Sequence, residues 1–251
     1  MDLKENERID DLEYKGLKII QNKEGFCFGI DSVLLSDFAK NIKNSAKVID
    51  LGTGTGIINI LLSGKTEAQE LVGVEIQPEV AEMAKRSIKL NKLENRIKII
   101  NDNILNLEKI YKKNYFDVVV TNPPYKKINT GVINNESKKQ ISRHEITASL
   151  RDFIHISAYL LKDFGEFYMV HRPERLVDIL SIMREEKIEP KKIKFVYPNK
   201  NKKTNLVLIK GIKFGNQFLE FEDNLYVYNE NGEYTEDILK IYNKSLVKGE
   251  N

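Results

Sequence analysis

The stretch from Val118 to Tyr125 reads Val-Val-Val-Thr-Asn-Pro-Pro-Tyr, so a run of β-branched residues stops at an amide, two prolines and an aromatic ring. The side-chain carbonyl of Asn122 and the backbone carbonyl of Pro123 are hydrogen-bond acceptors, and proline fixes its own φ. Two preorganised acceptors can hold the hydrogens of a planar amine and draw its nitrogen towards a nucleophilic geometry. Tyr125 can stack on the ring that carries the amine. We therefore expect Asn122, Pro123 and Tyr125 to be catalytic; a plain loop after a strand is the simpler alternative.

A glycine-rich turn, Asp50-Leu-Gly-Thr-Gly-Thr-Gly56, follows an apolar segment and opens a helical pattern. Glycines there let a ligand approach the backbone closely. A nicotinamide-binding turn would need a further glycine where Ile57 stands. A carboxylate at position 50 would repel a pyrophosphate, but it would attract the ammonium and sulfonium groups of S-adenosylmethionine. The turn thus predicts a cofactor site whose first residues are Asp50, Gly52, Thr53 and Gly54.

Polar residues also follow the next three apolar segments. Glu75-Ile76 ends the second, Asp102-Asn103 follows the third, and Asn122 follows the fourth. Carboxyl ends of parallel strands meet at one edge of a sheet, where such proteins bind ligands. A carboxylate at the second position can accept both ribose hydroxyls, and the third pair can contact the adenine of the cofactor. Each residue alone is equally explained as a loop or cap. The predicted cofactor-binding set here is Glu75, Ile76, Asp102, Asn103 and Asn122.

Strand and helix patterns alternate through most of the chain, which predicts an α/β fold with a mostly parallel sheet and helices on both faces. Seven strands are expected, at 47–51, 71–76, 97–100, 116–121, 165–171, 192–198 and 205–213. The last two flank a turn-like Asn-Lys-Asn-Lys-Lys and predict a C-terminal antiparallel hairpin. One domain is expected, with an N-terminal lead-in and flap helix at 1–45, a core at 46–215 and an extension at 216–251.

The segment before the first core strand carries a helical face formed by Val33, Leu34, Leu35 and Phe38, and Asp31 is a candidate N-cap. The single cysteine and three widely separated histidines favour neither a disulfide nor a metal site. Apolar runs fall short of the roughly 18 residues that a membrane span needs, and the N-terminus lacks an apolar signal core. A cytoplasmic protein without a metal or membrane partner is expected.

The chain resembles the class I S-adenosylmethionine-dependent methyltransferases in the motifs "DLGTGTG", "GVEIQP", "NDNI" and "NPPY". It is more specifically similar to the bacterial enzymes that methylate N6 of the adenine at position 37 of a valine tRNA. That likeness adds "FCFGIDSVLLSDFA", "SRHE" and "HRPERL" and covers about residues 12 to 215. The resemblance implies a Rossmann-like fold, a tRNA substrate, and a flap containing Phe28 and Asp31 near the methionine end of the cofactor. Asp31 is therefore also a candidate cofactor-binding residue.

A long segment from Lys126 to Ile146 follows the catalytic motif and is rich in basic residues. Long loops in compact domains often bind substrates, and basic clusters bind RNA phosphates. The candidate substrate-binding residues are Tyr125, Lys126, Lys127, Arg143 and His144. The turn of the predicted hairpin adds Lys200, Lys202 and Lys203. Solvated lysines are the alternative interpretation. A monomer is favoured as the oligomeric state.

Other functions use the same motif. Asn-Pro-Pro-Tyr also occurs in enzymes that methylate a glutamine of peptide-release factors, but fewer than fifty residues precede Asp50, which leaves little room for their helical N-terminal domain. Methylation of guanine N2 in ribosomal RNA remains open. So does a non-catalytic RNA-binding module on a methyltransferase scaffold, which the intact Asp50 and Asn122 disfavour.

Overall fold

The centre of the molecule is a sheet whose middle strands are apolar and β-branched. In the computed structural model, which describes residues 3–24, 29–125 and 148–244, β3 is Lys47–Leu51 and β6 is Phe116–Thr121. All six residues of β6 are buried. A strand covered on both faces is expected to be a nearly continuous apolar run, as this one is.

The other elements follow the predicted alternation. The strands are β1 (Glu7–Asp11), β2 (Lys18–Asn22), β4 (Glu70–Glu75), β5 (Ile97–Asn101), β7 (Leu161–His171), β8 (Ile188–Tyr197), β9 (Leu206–Lys213), β10 (Glu220–Phe221) and β11 (Leu225–Tyr226). The helices are α1 (Ile30–Phe38), α2 (Ile57–Lys65), α3 (Pro78–Leu90), α4 (Leu107–Ile110), α5 (Leu150–Leu160), α6 (Leu176–Glu185) and α7 (Glu236–Ile241).

The main sheet has the order β10-β8-β9-β7-β6-β3-β4-β5, with β11 also paired to β8. Strands β5, β4, β3, β6 and β7 are parallel, whereas β9 is antiparallel to both β7 and β8. The predicted mostly parallel sheet and its C-terminal hairpin are therefore confirmed. In the part of the chain that the structure describes the sheet has nine strands where seven were expected, because two-residue strands β10 and β11 extend the β8 edge.

Two apolar layers cover the sheet. One layer packs α1, α2 and α3 against residues such as Val48 of β3, and the other packs α4, α5 and α6 against Ile49 and Leu51 of the same strand. Successive side chains of a strand point to opposite faces, so one short strand contributes to both layers. Helix α5 begins at a capping box in which the Ser149 hydroxyl accepts from the backbone N–H of Asp152 and the Asp152 carboxylate accepts from the N–H of Ser149.

The expected lead-in contains an antiparallel hairpin, β1–β2, which the sequence did not predict. The hairpin is bound to α3: Ile20 N donates to Ser87 Oγ at 3.0 Å, and Lys18 N donates to Asn91 Oδ1 at 2.8 Å. Arg86 of α3 forms a bidentate ion pair with Glu7, with Nη1–Oε2 at 2.7 Å and Nη2–Oε1 at 2.5 Å. This pair lowers the pKa of Glu7 to about 2.

The described ranges contain neither a helix able to span a membrane nor a cluster of side chains able to bind a metal ion. Their helices include none that is both long and apolar enough to cross a membrane. They also bring together no cluster of three or more His, Cys, Asp or Glu side chains able to hold a metal ion.

Replacing Arg86 with alanine should destabilise the fold by about 3 kcal/mol, because it leaves the Glu7 carboxylate buried without its partner. The carboxylate pKa is depressed in the folded state, so this contribution is complete above about pH 4.5 and should shrink as the pH falls towards about 2. Urea unfolding across that range measures both effects. Arg151→Ala is the matched control, since the Arg151–Glu185 pair joins side chains that are 55% and 52% exposed. The control should cost no more than about 1 kcal/mol, and equal losses would contradict the prediction.

Candidate active site

The pairing of β3 with β6 places two motifs side by side. Asp50 lies opposite Val120 and Leu51 opposite Thr121, and the Thr121 hydroxyl donates to the Leu51 carbonyl at 2.9 Å. Both strands point the same way, so the glycine turn and Asn122 leave the sheet at the same carboxyl edge. The predicted position of Asn122 beside the glycine turn follows from this register.

The glycine turn has the conformation that its composition demands. Gly52, Gly54 and Gly56 have φ of 74°, 56° and 86°, a region that disfavours other residues. The N–H groups of Gly52 and Thr53 donate to the Val74 carbonyl at 3.0 and 2.9 Å. These bonds fasten the turn to the end of β4 and hold its backbone in place.

Asp50 is fully buried at the base of the turn. Its Oδ2 accepts from the Thr53 hydroxyl at 2.6 Å, while its Oδ1 is buried without a hydrogen-bond partner among the described residues. Burial raises the pKa of Asp50 to about 7, and the nearby charge of Glu75 adds to the rise while the Thr53 bond opposes it. A buried carboxylate oxygen without a donor is costly, and a cationic ligand would supply the missing interaction.

Glu75, at the end of β4, is also buried. Its Oε2 accepts from Gly54 N at 3.0 Å, and its Oε1 accepts from Gln77 N at 2.9 Å. Oε1 also accepts from Gln77 Nε2 at 3.3 Å, so the free lone pair is on Oε2, where a ribose hydroxyl can bind. A Cβ built on Gly54 would meet nothing within 4 Å, which means that the turn faces open space. The unpartnered oxygen of Asp50, the Glu75 carboxylate and this space fit the ammonium and ribose of S-adenosylmethionine.

Two residues under the turn were not identified from the sequence. The Asn59 amide on α2 donates from Nδ2 to Thr53 Oγ1 at 3.1 Å, so it supports the hydroxyl that binds Asp50. Gly73 of β4 lies beneath them, since a Cβ there would approach Asn59 Nδ2 to 2.7 Å and Thr53 Cγ2 to 2.8 Å. A glycine within a buried strand is the one signal that could have indicated this close packing.

Asp102 and Asn103 lie at the end of β5, where they were expected, and both contribute to a local turn. Asp102 Oδ1 accepts from Asn103 N and from Asn106 Nδ2, both at 2.7 Å. Asn103 Oδ1 accepts from Leu105 N at 3.0 Å and caps a short 3₁₀ turn. Ile76 is half-buried at the end of β4, and its carbonyl accepts from Asn101 Nδ2 at 3.1 Å. A role of these residues in cofactor binding stays a prediction.

Asn122 is held by residues of α1. Its Nδ2 donates to Ser32 Oγ at 3.2 Å, which directs Oδ1 towards the Tyr125 hydroxyl at 2.8 Å. The same hydroxyl contacts Asp31 Oδ2 at 2.7 Å. Pro123, which lies between Asn122 and Tyr125 in the sequence, is buried. The structure therefore brings Asp31, Asn122 and Tyr125 into one cluster, and it adds Ser32, which sequence reasoning missed.

This cluster has too few hydrogen-bond donors. A tyrosine hydroxyl carries one proton, yet both Asp31 Oδ2 and Asn122 Oδ1 are acceptors of it. The shared proton cannot satisfy both oxygens fully. A ligand with N–H groups would supply the donors that the cluster lacks.

The Tyr125 ring is fixed from several sides. His171 packs edge-to-face against it with ring centroids 5.1 Å apart, and the Arg172 guanidinium carbon lies over the ring at 5.1 Å from its centroid. Burial and the adjacent Asp31 carboxylate raise the pKa of the Tyr125 hydroxyl, so it remains protonated at neutral pH. Burial lowers the pKa of His171, whose Nδ1 accepts from Arg172 N at 2.7 Å.

Two sequence expectations about the flanking segments have different outcomes. Asp31 is not the N-cap of α1, because the helix begins at Ile30 after Gly29, and its carboxylate instead binds Tyr125. The residues Lys126, Lys127, Arg143 and His144, as well as Phe28, lie outside the described residues. The turn between β8 and β9 does lie within them. Strand β9 is antiparallel to β7, so β9 begins at the edge where the parallel strands end. Strand β8 is antiparallel to β9 and ends at that same edge. The turn between β8 and β9 therefore lies at the carboxyl edge.

Comparisons with known proteins agree with this geometry. The family model for the methyltransferase small domain matches residues 29–186, which include the glycine turn, Asn122 and the start of α1. A protein of Histophilus somni named tRNA1(Val) (adenine(37)-N6)-methyltransferase is 30% identical over 158 residues, which are 62% of this chain and 65% of that protein. A protein of the same name from Parabacteroides distasonis is 28% identical over 187 residues, or 74% and 76% of the two chains.

Among solved structures, a predicted O-methyltransferase from Agrobacterium tumefaciens superposes with a TM-score of 0.69 at 20% identity, covering 85% of this chain and 95% of that one. That likeness concerns the fold. The matching family model covers more than half of the chain, and it agrees with the motifs that first indicated a class I methyltransferase. The chain belongs to the methyltransferase small domain family.

Proposed function

We propose that the chain transfers a methyl group from S-adenosylmethionine to the N6 amine of an adenine in tRNA. The observation that carries the proposal is the donor-poor cluster of Asp31, Asn122 and Tyr125 beside the glycine turn. An exocyclic amine has the N–H groups that these oxygens lack. The relatives named tRNA1(Val) (adenine(37)-N6)-methyltransferase favour adenine among the possible amines, and position 37 of the anticodon loop as the site.

The cofactor would be held at the glycine turn. Asp50 would bind its ammonium group, Glu75 its ribose, and Asp102 and Asn103 its adenine, with the backbone from Gly52 to Gly54 alongside. The bound cofactor supplies an electrophilic methyl group on a sulfonium. Asp31, which is joined to Asn122 through the Tyr125 hydroxyl by two hydrogen-bond contacts, would lie at the boundary between the cofactor and the substrate.

The substrate amine would be bound by fixed acceptors. Asn122 Oδ1 has a second lone pair beyond its contact with Tyr125, and the Pro123 carbonyl is adjacent in the chain. Acceptors that are already in place lose little free energy to reorganisation when the nitrogen becomes pyramidal. Tyr125, with its hydroxyl and ring fixed, is suited to stack on the base. The product loses its proton to solvent, so no strong general base is required.

The RNA would be bound through phosphates at the same edge of the sheet. Lys200, Lys202 and Lys203 of the β8–β9 turn are exposed, and no acidic residue of the described ranges forms an ion pair with them. Unpaired lysines beside a substrate site are suited to phosphate contacts. Lys126, Lys127, Arg143 and His144 of the segment after the catalytic motif would extend this contact.

A first prediction concerns the cofactor. Affinity for S-adenosylhomocysteine, measured by calorimetry between about pH 5.5 and about pH 7.5, should fall about tenfold for each pH unit below about 7, because protonated Asp50 cannot attract the ammonium group. Asp50→Asn should bind weakly at every pH and show no such slope. A pH-independent affinity of the unmodified protein would remove Asp50 from the ammonium site.

A second prediction concerns the reaction itself. Asn122→Ala should slow methyl transfer to total tRNA by about 10²-fold or more, because one fixed acceptor for the amine is lost, and it should lower cofactor affinity far less than that. Tyr125→Phe should slow it by about tenfold, since the hydroxyl that contacts Asn122 is absent, and Tyr125→Ala should be more severe. Mass spectrometry of the digested nucleosides identifies the product. N2-methylguanosine in place of N6-methyladenosine, or a normal rate with Asn122→Ala, would refute the proposal.

A third prediction concerns the RNA-binding surface. Replacing Lys200, Lys202 and Lys203 together with alanine should weaken RNA binding and flatten its dependence on salt, by about one unit of slope for each phosphate that the variant no longer neutralises. The matched control replaces Lys109, Lys112 and Lys113, which are also exposed but precede the start of β6 in the chain. Fluorescence anisotropy across a salt series measures both. Identical slopes for the two triple variants would mean that the turn lysines are simply solvated.

A further inference from the structure

Arg172 follows β7 at the carboxyl edge and contacts the functional aromatic ring directly. Its guanidinium carbon lies 5.1 Å from the centroid of Tyr125, over the ring. Its Nη1 donates to the Asn205 carbonyl at 3.0 Å, at the start of β9. An arginine over a tyrosine face gains a cation–π attraction, and one hydrogen bond fixes the direction of its side chain. The residue is thus positioned against Tyr125.

No acidic side chain of the described fold neutralises the positive charge of Arg172. Arginines elsewhere in the described chain have internal partners: Arg8 pairs with Asp10, Arg86 with Glu7, Arg151 with Glu185, Arg175 with Asp178 and Arg184 with Glu189, and Arg96 binds three backbone carbonyls. Arg172 forms no ion pair with any acidic side chain of the described ranges. The residue is exposed, and the guanidinium donates one hydrogen bond, from Nη1, to the described part of the chain.

The main chain beneath Arg172 is rigid. His171 is 2% exposed, and its Nδ1 accepts the Arg172 N–H at 2.7 Å while its ring packs against Tyr125. Pro173 follows at once and begins a 3₁₀ turn. A buried imidazole therefore fixes both Tyr125 and the backbone of Arg172, and it sets the distance between them.

We propose that Arg172 is a substrate-positioning residue that clamps the target nucleobase together with Tyr125. This inference rests on the proposed function, because it assumes that Tyr125 stacks on a base. A guanidinium is planar, weakly hydrated and able to stack on a ring, and its free N–H groups can reach a flanking phosphate. In the structure the guanidinium lies on the Tyr125 ring itself, 5.1 Å from the centroid, so the arginine side chain swings aside as the base stacks on the ring and then covers the opposite face of the base. The planar shape of the Arg172 guanidinium matters to this role as much as its charge.

The test compares Arg172→Ala, Arg172→Lys and Arg175→Ala, with an unmodified valine tRNA transcript as substrate. Arg172→Ala should raise the KM for the transcript by about tenfold or more, on the scale of removing one base-stacking interaction, and leave the calorimetric affinity for S-adenosylhomocysteine unchanged. Arg172→Lys should recover little of the loss, because lysine keeps the charge without the plane. Arg175→Ala removes the same charge three residues away from a side chain paired with Asp178, and it should stay within about twofold.

The outcomes separate the two proposals. If the unmodified protein methylates the transcript and Arg172→Ala has a normal KM, the clamp is wrong and the proposed function stands. Full recovery by Arg172→Lys, or equal losses for Arg172→Ala and Arg175→Ala, would also overturn the clamp, because charge alone would explain them. If the unmodified protein transfers no methyl group to the transcript or to total tRNA, the proposed function fails first. Unchanged cofactor affinity shows that each variant is folded.

Discussion

The parallel register of β3 between β4 and β6 determines the rest of the site. Asp50 lies opposite Gly73 on one side and Val120 on the other, so the ends of the three strands coincide. The glycine turn, Glu75 and Asn122 therefore emerge at one edge. A slip of one residue would exchange the two faces of β3 and turn the Asp50 carboxylate away from Thr53. Such a slip is unfavourable because it would bury the Asp50 carboxylate in the opposite apolar layer, away from its Thr53 donor.

The sequence predicted well those elements that are marked by a local pattern of residue types. The bounds of β3 and β6 agree with prediction, because β-branched runs end at a glycine and at Asn122-Pro123. The β1–β2 hairpin was missed, since its strands are mostly polar and its contacts with α3 join residues far apart in the sequence. Glu7 and Arg86 are 79 residues apart in sequence. No local pattern could indicate that contact.

In the candidate site, too, some positions follow from a local sequence pattern and others depend on contacts between distant residues. The types and spacing of Asp50, Glu75 and Asn122 predicted their positions, because parallel strands bring their ends together by rule. The sequence assigned Tyr125 a stacking ring and no role for its hydroxyl. In the structure that hydroxyl joins Asn122 to Asp31, a residue 94 positions earlier on α1. Hydrogen-bond partners brought together by helix packing depend on tertiary structure, so a single sequence could not reveal them.

Under the proposed function, the surroundings of Tyr125 bear on which planar amine the site would accept. A glutamine amide and an adenine both offer N–H groups to Asn122, so the acceptors alone do not choose between them. A glutamine amide is small and leaves most of an aromatic face uncovered. An adenine presents a large π-face that can use the Tyr125 ring on one side and a guanidinium on the other. The buried His171 holds that ring and the backbone of Arg172 in a fixed relation, and the charge of Arg172 has no partner within the described fold. The combination of a fixed ring with an unpaired planar cation favours a nucleobase over a side-chain amide.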